Sequence, residues 1–169
     1  MTDRKENLLR VKERIAESAK VSGRQPDDVT LIAVSKTFPS SAITELASYG
    51  QIDFGENKVQ ELVSKHQLIG DEHANHPVQW HFIGHLQRNK AKDIVGHCNL
   101  FHALDSSRLA RALDTRFKDA DKKLDCLVQV NVSGEASKFG LEPTEVDAFL
   151  DEIAECSNVR IRGFMTLAS

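Results

Sequence analysis

Apolar positions recur along this chain in two alternating rhythms. Leu8, Val11, Ile15 and Ala19 fall on one face at helical spacing with charged residues between them, and Gly23 follows, which predicts a helix of about five turns. Thr30-Leu31-Ile32-Ala33-Val34 is then a short apolar run, β-branched at Thr30, Ile32 and Val34 and bounded by Pro26 and Pro39, the pattern of a buried strand. The grammar repeats. A helix through Ile43, Leu46 and Ala47 ends at Gly50, a strand takes Ile52-Asp53-Phe54, and a helix follows near Val59, Leu62 and Val63. Residues 78–83 read as a third strand, 87–95 as a helix, 100–104 as a fourth strand, 107–117 as a helix capped by Ser106, and 127–132 as a fifth strand. Pro143, at a first-turn position, opens a helix through Val146, Phe149, Leu150 and Ile153, and 160–167 supplies a sixth strand.

Near-continuous apolar strands separated by amphipathic helices imply right-handed βαβ crossovers and a parallel sheet buried on both faces. The fold class is α/β. Periodicity alone leaves open whether the sheet is doubly wound or curls into a barrel. No low-complexity tract, Gly/Ser-rich linker or internal repeat divides the chain, so one domain is expected over 1–169.

Composition narrows the function classes. With 40% hydrophobic and 28% charged residues the chain is an ordinary globular one, and no apolar stretch approaches the length of a membrane span. Lys plus Arg number 22 against 25 Asp plus Glu, a formal charge of -3, whereas a protein that grips nucleic-acid backbones carries a concentrated basic excess. Neither nucleic acid nor membrane is an expected partner. The polar N-terminal stretch has no apolar core behind a basic start, so the chain is expected in the cytoplasm. Cys98, Cys126 and Cys156 are odd in number, widely spaced and outside any C-x-x-C pair, which fits buried free thiols.

In a parallel α/β fold, function gathers where the strands end at their carboxyl edge. Lys36 follows the first apolar run directly. Desolvated there it has the makings of a Schiff-base nucleophile; alternatively its stem lies on the strand end with the ammonium in water. Gly55-Glu56-Asn57 offers a close backbone approach and an amide suited to a planar polar ring, or else a simple cap for the next helix. His81 and His85 have the spacing of zinc ligands, but no Glu lies between them and Gly84 interrupts the segment, so no metal site is expected even with His73, His76 and His97 in reserve. His81 is read as a pocket-wall or core histidine. Arg88, Lys90 and Lys92 form a basic cluster that reads as a solvated helix face, with phosphate or RNA contact as the sharper alternative. Dinucleotide, Walker-type and serine-hydrolase motifs are absent.

LIAVSKT around Lys36, FGENKVQE from Phe54, WHFIGHLQRNK from Trp80, QVNVSGEASKFG from Gln129 and the closing RGFMTLAS together resemble the pyridoxal phosphate homeostasis protein family. The resemblance covers the whole chain in order and implies a TIM-barrel-like fold of the alanine racemase N-terminal type. It implies that Lys36 holds pyridoxal 5'-phosphate as an internal aldimine, and that Asn57, His81 and Met165 line the ring from strand ends. It also implies a role in binding, buffering and delivering the cofactor, with effects on amino-acid and keto-acid balance and without catalytic turnover. Pyridoxal-phosphate-dependent apo-enzymes are the candidate recipients and a monomer the expected state.

The family continues past the position matching Ser169 into further strand–helix units and a Ser- and Gly-rich phosphate segment. Six strands in 169 residues fall short of the roughly 200 or more of a whole barrel, so an N-terminal portion with about six of eight units is expected. A pyridoxal-phosphate-dependent amino-acid racemase is the second reading, but its usual tyrosine base has no counterpart beyond Tyr49, in a helix. A cofactor-free aldolase using Lys36, with Glu56 or Asp105 as acid/base, is the third.

Overall fold

Six strands pair in parallel and in unbroken chain order in the computed structural model, which describes residues 3–70, 77–135 and 138–167. They are β1 (Ala33–Val34), β2 (Asp53–Glu56), β3 (Gln79–Phe82), β4 (Leu100–Leu104), β5 (Leu124–Gln129) and β6 (Val159–Met165). The intervening helices are α2 (Ser40–Ser48), α3 (Val59–Ile69), α4 (Ser107–Asp119) and α5 (Val146–Glu152), and α1 (Arg4–Val21) precedes the sheet. The order decides what periodicity left open. A doubly wound sheet reverses direction at a switch point, whereas right-handed crossovers between neighbours in unreversed order put every helix on the same face, as in a β/α barrel.

The sheet is therefore not apolar on both faces. Along β2 to β5, Phe54, Trp80, Phe82, Phe101, Leu124, Cys126 and Val128 join Ile43, Leu62, Leu109, Leu113 and Phe117 of the helices in one buried core. Their register agrees: Phe54 lies opposite Trp80, Phe82 opposite Phe101 and Phe101 opposite Cys126. Because side chains alternate along a strand, the other face receives Asp53, His81, His102 and Asp125. Arg160 on β6 reaches Asp125 at 2.6 Å there, with Arg162 at 3.8 Å.

Most sequence-predicted elements fall within a few residues of the observed ones, and the differences have physical causes. The first strand shrinks to two residues because β1 is an edge, paired only with β2 among the described residues. Residues 87–95 form a 3₁₀ segment, Arg88–Ile94, instead of an α-helix. Its two buried side chains, Ala91 and Ile94, stand three apart, which a three-residue turn aligns. Ser106 occupies the cap position of α4, but its hydroxyl makes no capping hydrogen bond. Pro143 opens a short 3₁₀ turn, Pro143–Glu145, ahead of α5.

Candidate functional site

The carboxyl edge of β1 carries the turn Ser35-Lys36-Thr37-Phe38, closed by the Phe38 N–H donating to the Ser35 carbonyl at 3.1 Å. Thr37, third in the turn, has φ +68°, a region that usually calls for glycine or asparagine. Lys36 is exposed, and its ammonium makes no ion pair or hydrogen bond with the described residues. The expected desolvation is thus not found. β1 is an edge strand, and no described strand stands on its outer side to wall the lysine in.

The flanking residues are, in contrast, firmly held. Ser35 is buried; its N–H donates to the Gly55 carbonyl at 3.0 Å and its hydroxyl to Glu56 Oε1 at 2.7 Å. Lys65 Nζ donates to the Ser35 carbonyl at 2.9 Å, to Glu56 Oε1 at 2.8 Å and to Glu61 Oε2 at 3.0 Å. The Thr37 N–H donates to Glu61 Oε2 at 2.9 Å. That bond first, and Lys65 next, hold the Glu61 carboxyl below the usual carboxylate range. Glu56 is fully buried; its Oε1 accepts from Ser35 and Lys65, and its Oε2 has no hydrogen-bond partner among the described residues.

Asn57 follows β2 directly, one strand over from Lys36. Its Oδ1 is buried without a hydrogen-bond partner among the described residues. Gly84 packs on it so tightly that a Cβ there would stand 2.3 Å from the Asn57 carbonyl oxygen. Beyond β3, the half-exposed His85 ring stacks on Phe139 with centroids 4.2 Å apart, and its Nδ1 lies 3.6 Å from Asp105 Oδ2. Burial raises the Asp105 carboxyl pKa, and His85 opposes that rise.

His81 lies inside the sheet rather than at its rim. Its Nδ1 is 2.8 Å from His102 Nε2 and its Nε2 is 2.9 Å from Asp53 Oδ1, at the opposite end of β2 from Asn57. Both ring nitrogens are engaged. Met165 closes β6, half-buried, opposite Gln129 and at the far end of the strand order from Lys36. Lys36 and Asn57 therefore follow neighbouring strands, His81 lies in register with Gly55, two residues before Asn57, and Met165 closes the sixth strand. His73 and His76 lie outside the described residues, and His97 sits 3.1 Å from His66, nitrogen to nitrogen. Tyr49 follows α2, beneath the ammonium of Lys5.

The sequence reading missed Lys65, Ser35 and Glu61. One signal was present: Glu61 and Lys65 stand four apart on a helical pattern, with the acid nearer the N-terminus. Asp53 and His102 also carried a signal, as polar residues inside otherwise apolar strands.

An unreversed parallel sheet with an unpaired lysine just after its first strand defines a β/α-barrel-type protein of the alanine racemase N-terminal domain class, whose family model matches residues 7–169. At 40% identity over 162 residues, the chain is similar to the Pyridoxal phosphate homeostasis protein of Pseudomonas aeruginosa, covering 96% of this chain and 69% of that one. The chain belongs to the pyridoxal phosphate homeostasis protein family. It is also similar to PipY of Synechococcus elongatus, solved with PLP bound, at 37% identity and a TM-score of 0.77 over 91% of this chain and 70% of that one. Alanine racemase of Clostridium difficile shares the fold at 16% identity and a TM-score of 0.66, over 95% of this chain and 40% of that one. No described helix is long and apolar enough to cross a membrane.

Proposed function

We propose that this chain binds pyridoxal 5'-phosphate through Lys36 and holds it for release to apo-enzymes in the cytoplasm, without turning over an amino-acid substrate. The observation that carries this is an unpaired primary amine on a rigidly held turn at the carboxyl edge of the first strand. The residues present suit the group: Asn57 offers a buried amide oxygen that lacks a partner among the described residues, and Lys36, after the neighbouring strand, is exposed. When bound, the cofactor supplies an aldehyde that an unprotonated amine attacks and a ring that withdraws electrons. Lys36 contributes the amine, its turn sets the direction, and Asn57 supplies a polar contact at the neighbouring strand end. The 40%-identical relative's name and the PLP-bound PipY structure support the same reading.

The racemase reading is weaker, because the racemase likeness stands at 16% identity and Tyr49 lies after α2, away from the strand ends. In the test, wild-type protein titrated with pyridoxal 5'-phosphate should develop a visible absorbance band, and borohydride reduction followed by peptide mass spectrometry should place the added mass on Lys36. Lys36→Ala should remove both signals while leaving stability within about 0.5 kcal/mol, since Lys36 is exposed and unpaired. Retention of the band in Lys36→Ala would overturn the proposal. Incubation with L-alanine should leave its chirality unchanged; steady racemisation would establish an enzyme instead.

A further inference from the structure

Two lysines lie close to the carboxyl end of β1, and their environments are opposite. Lys36 is exposed and unpaired. Lys65, on α3, is buried, and its ammonium has three acceptors, the Ser35 carbonyl, Glu56 Oε1 and Glu61 Oε2, which match its three protons. A buried ion pair of this kind is a poor way to gain stability, because withdrawing both charges from water offsets most of their attraction. What the pair does is geometric. It bonds to the residue before Lys36 directly, through the Ser35 carbonyl, and to the residue after it through Glu61, which accepts the Thr37 N–H at 2.9 Å.

Threonine is β-branched and poorly suited to φ +68°. It persists in that conformation where surrounding contacts over-determine it, and Glu61 and Lys65 supply those contacts. Glu56 completes the frame by accepting from both Ser35 Oγ and Lys65 Nζ. The turn is thereby closed on both sides of Lys36, and the lysine between is the one residue of the triplet left unbound.

We propose that Lys65 is a positioning residue for Lys36: together with Glu56 and Glu61 it locks the Ser35–Phe38 turn in a strained form that fixes where the Lys36 amine is presented. The proposal rests on the reading of Lys36 as the cofactor-binding lysine. It also accounts for selectivity between the two amines, since Lys65 is buried and held by three acceptors, out of an aldehyde's reach, whereas Lys36 is exposed.

The test compares the rate at which the protein captures pyridoxal 5'-phosphate, followed by absorbance, and the share of borohydride-trapped label found on Lys36 by mass spectrometry. Lys65→Met keeps the stem and removes the charge; it should slow capture by about tenfold or more and spread the label to other lysines. Thr37→Gly introduced into Lys65→Met should restore capture to within about threefold of wild type, because glycine takes a positive φ without the clamp. With both variants compared under conditions where each is fully folded, absence of rescue overturns the proposal. Wild-type capture by Lys65→Met overturns it as well. If Lys65→Met does not fold, Glu61→Gln decides: slower capture in folded protein supports the clamp, and an unchanged rate refutes it. Lys36→Ala separates the two levels, since capture persisting there defeats the underlying reading, whereas its loss alongside unaffected Lys65 and Glu61 variants defeats the positioning role alone.

Discussion

At the scale of single residues, burial decides which groups titrate and react. His102 is buried on the polar face of the sheet beside His81, and burial first, then the His81 charge, depress its pKa from an ordinary 6.5 to about 4. The unfolded chain therefore takes up a proton between pH 6.5 and about 4 that the folded protein refuses. This contribution to stability is complete above pH 6.5 and is lost as the pH falls toward 4, amounting to on the order of 3 kcal/mol. Urea midpoints at neutral and mildly acidic pH should show the drop, and His102→Gln should flatten it. The thiols follow the same logic. Burial pushes Cys98 up to about 12 and raises Cys126 as well, so both stay protonated at neutral pH. Iodoacetamide should label the fully buried Cys126 slowly in folded protein and rapidly only after denaturation, whereas Cys98, half-buried rather than buried as its sequence setting suggested, should react at an intermediate rate. The free state of all three cysteines was legible from their number and spacing, because no C-x-x-C pair suggested a bridge or a metal. The depressed His102 was not, since a histidine's pKa depends on what lies across the strand from it.

At the scale of elements, the β2–α3 unit does most to shape the site. Its sequence places Glu56 at the strand end, Asn57 just after it and Glu61 and Lys65 on successive helical turns, so one βα unit organises the turn of the preceding strand. The contact between this unit and the end of β3 leaves no space at Gly84. Gly84→Ala should cost about 1–3 kcal/mol or more, because the obstacle is the Asn57 backbone and not a side chain that could swing away. A Tm lowered by several degrees, with weaker cofactor binding, is the expected result. A thermal midpoint equal to that of wild type would show that the two strand ends can separate freely. The boundaries of these elements were legible to within a few residues, since apolar periodicity and glycine stops mark them. The two-residue length of β1 was not, because strand length depends on how many neighbours supply ladder bonds.

At the scale of the whole molecule, the unreversed strand order makes a curved one-sided sheet with a polar inner face and, among the described residues, two strands paired on one side only. Near the β6 edge, Phe164 is 61% exposed and Val132 60%. Unpaired ladder groups flanked by apolar side chains template association between copies. The apparent mass of this chain from light scattering should rise with concentration, and Phe164→Lys should suppress that rise without lowering Tm; an apparent mass independent of concentration would show that the edges are not sticky.

The sequence by itself determined the α/β class, the six strands and Lys36 as the residue to watch, because hydrophobic period, turn residues and the register of a motif are local properties of the chain. Only the tertiary structure decided that the sheet is sequential and one-sided, that Lys36 is exposed while its neighbours are clamped, that His81 is bound inside the sheet, and that Lys65 meets Ser35, Glu56 and Glu61. Each of these depends on residues about 20 or more positions apart meeting across strands, and the free energy of a buried charge or a strained turn is set by those partners rather than by the residue's own place in the chain.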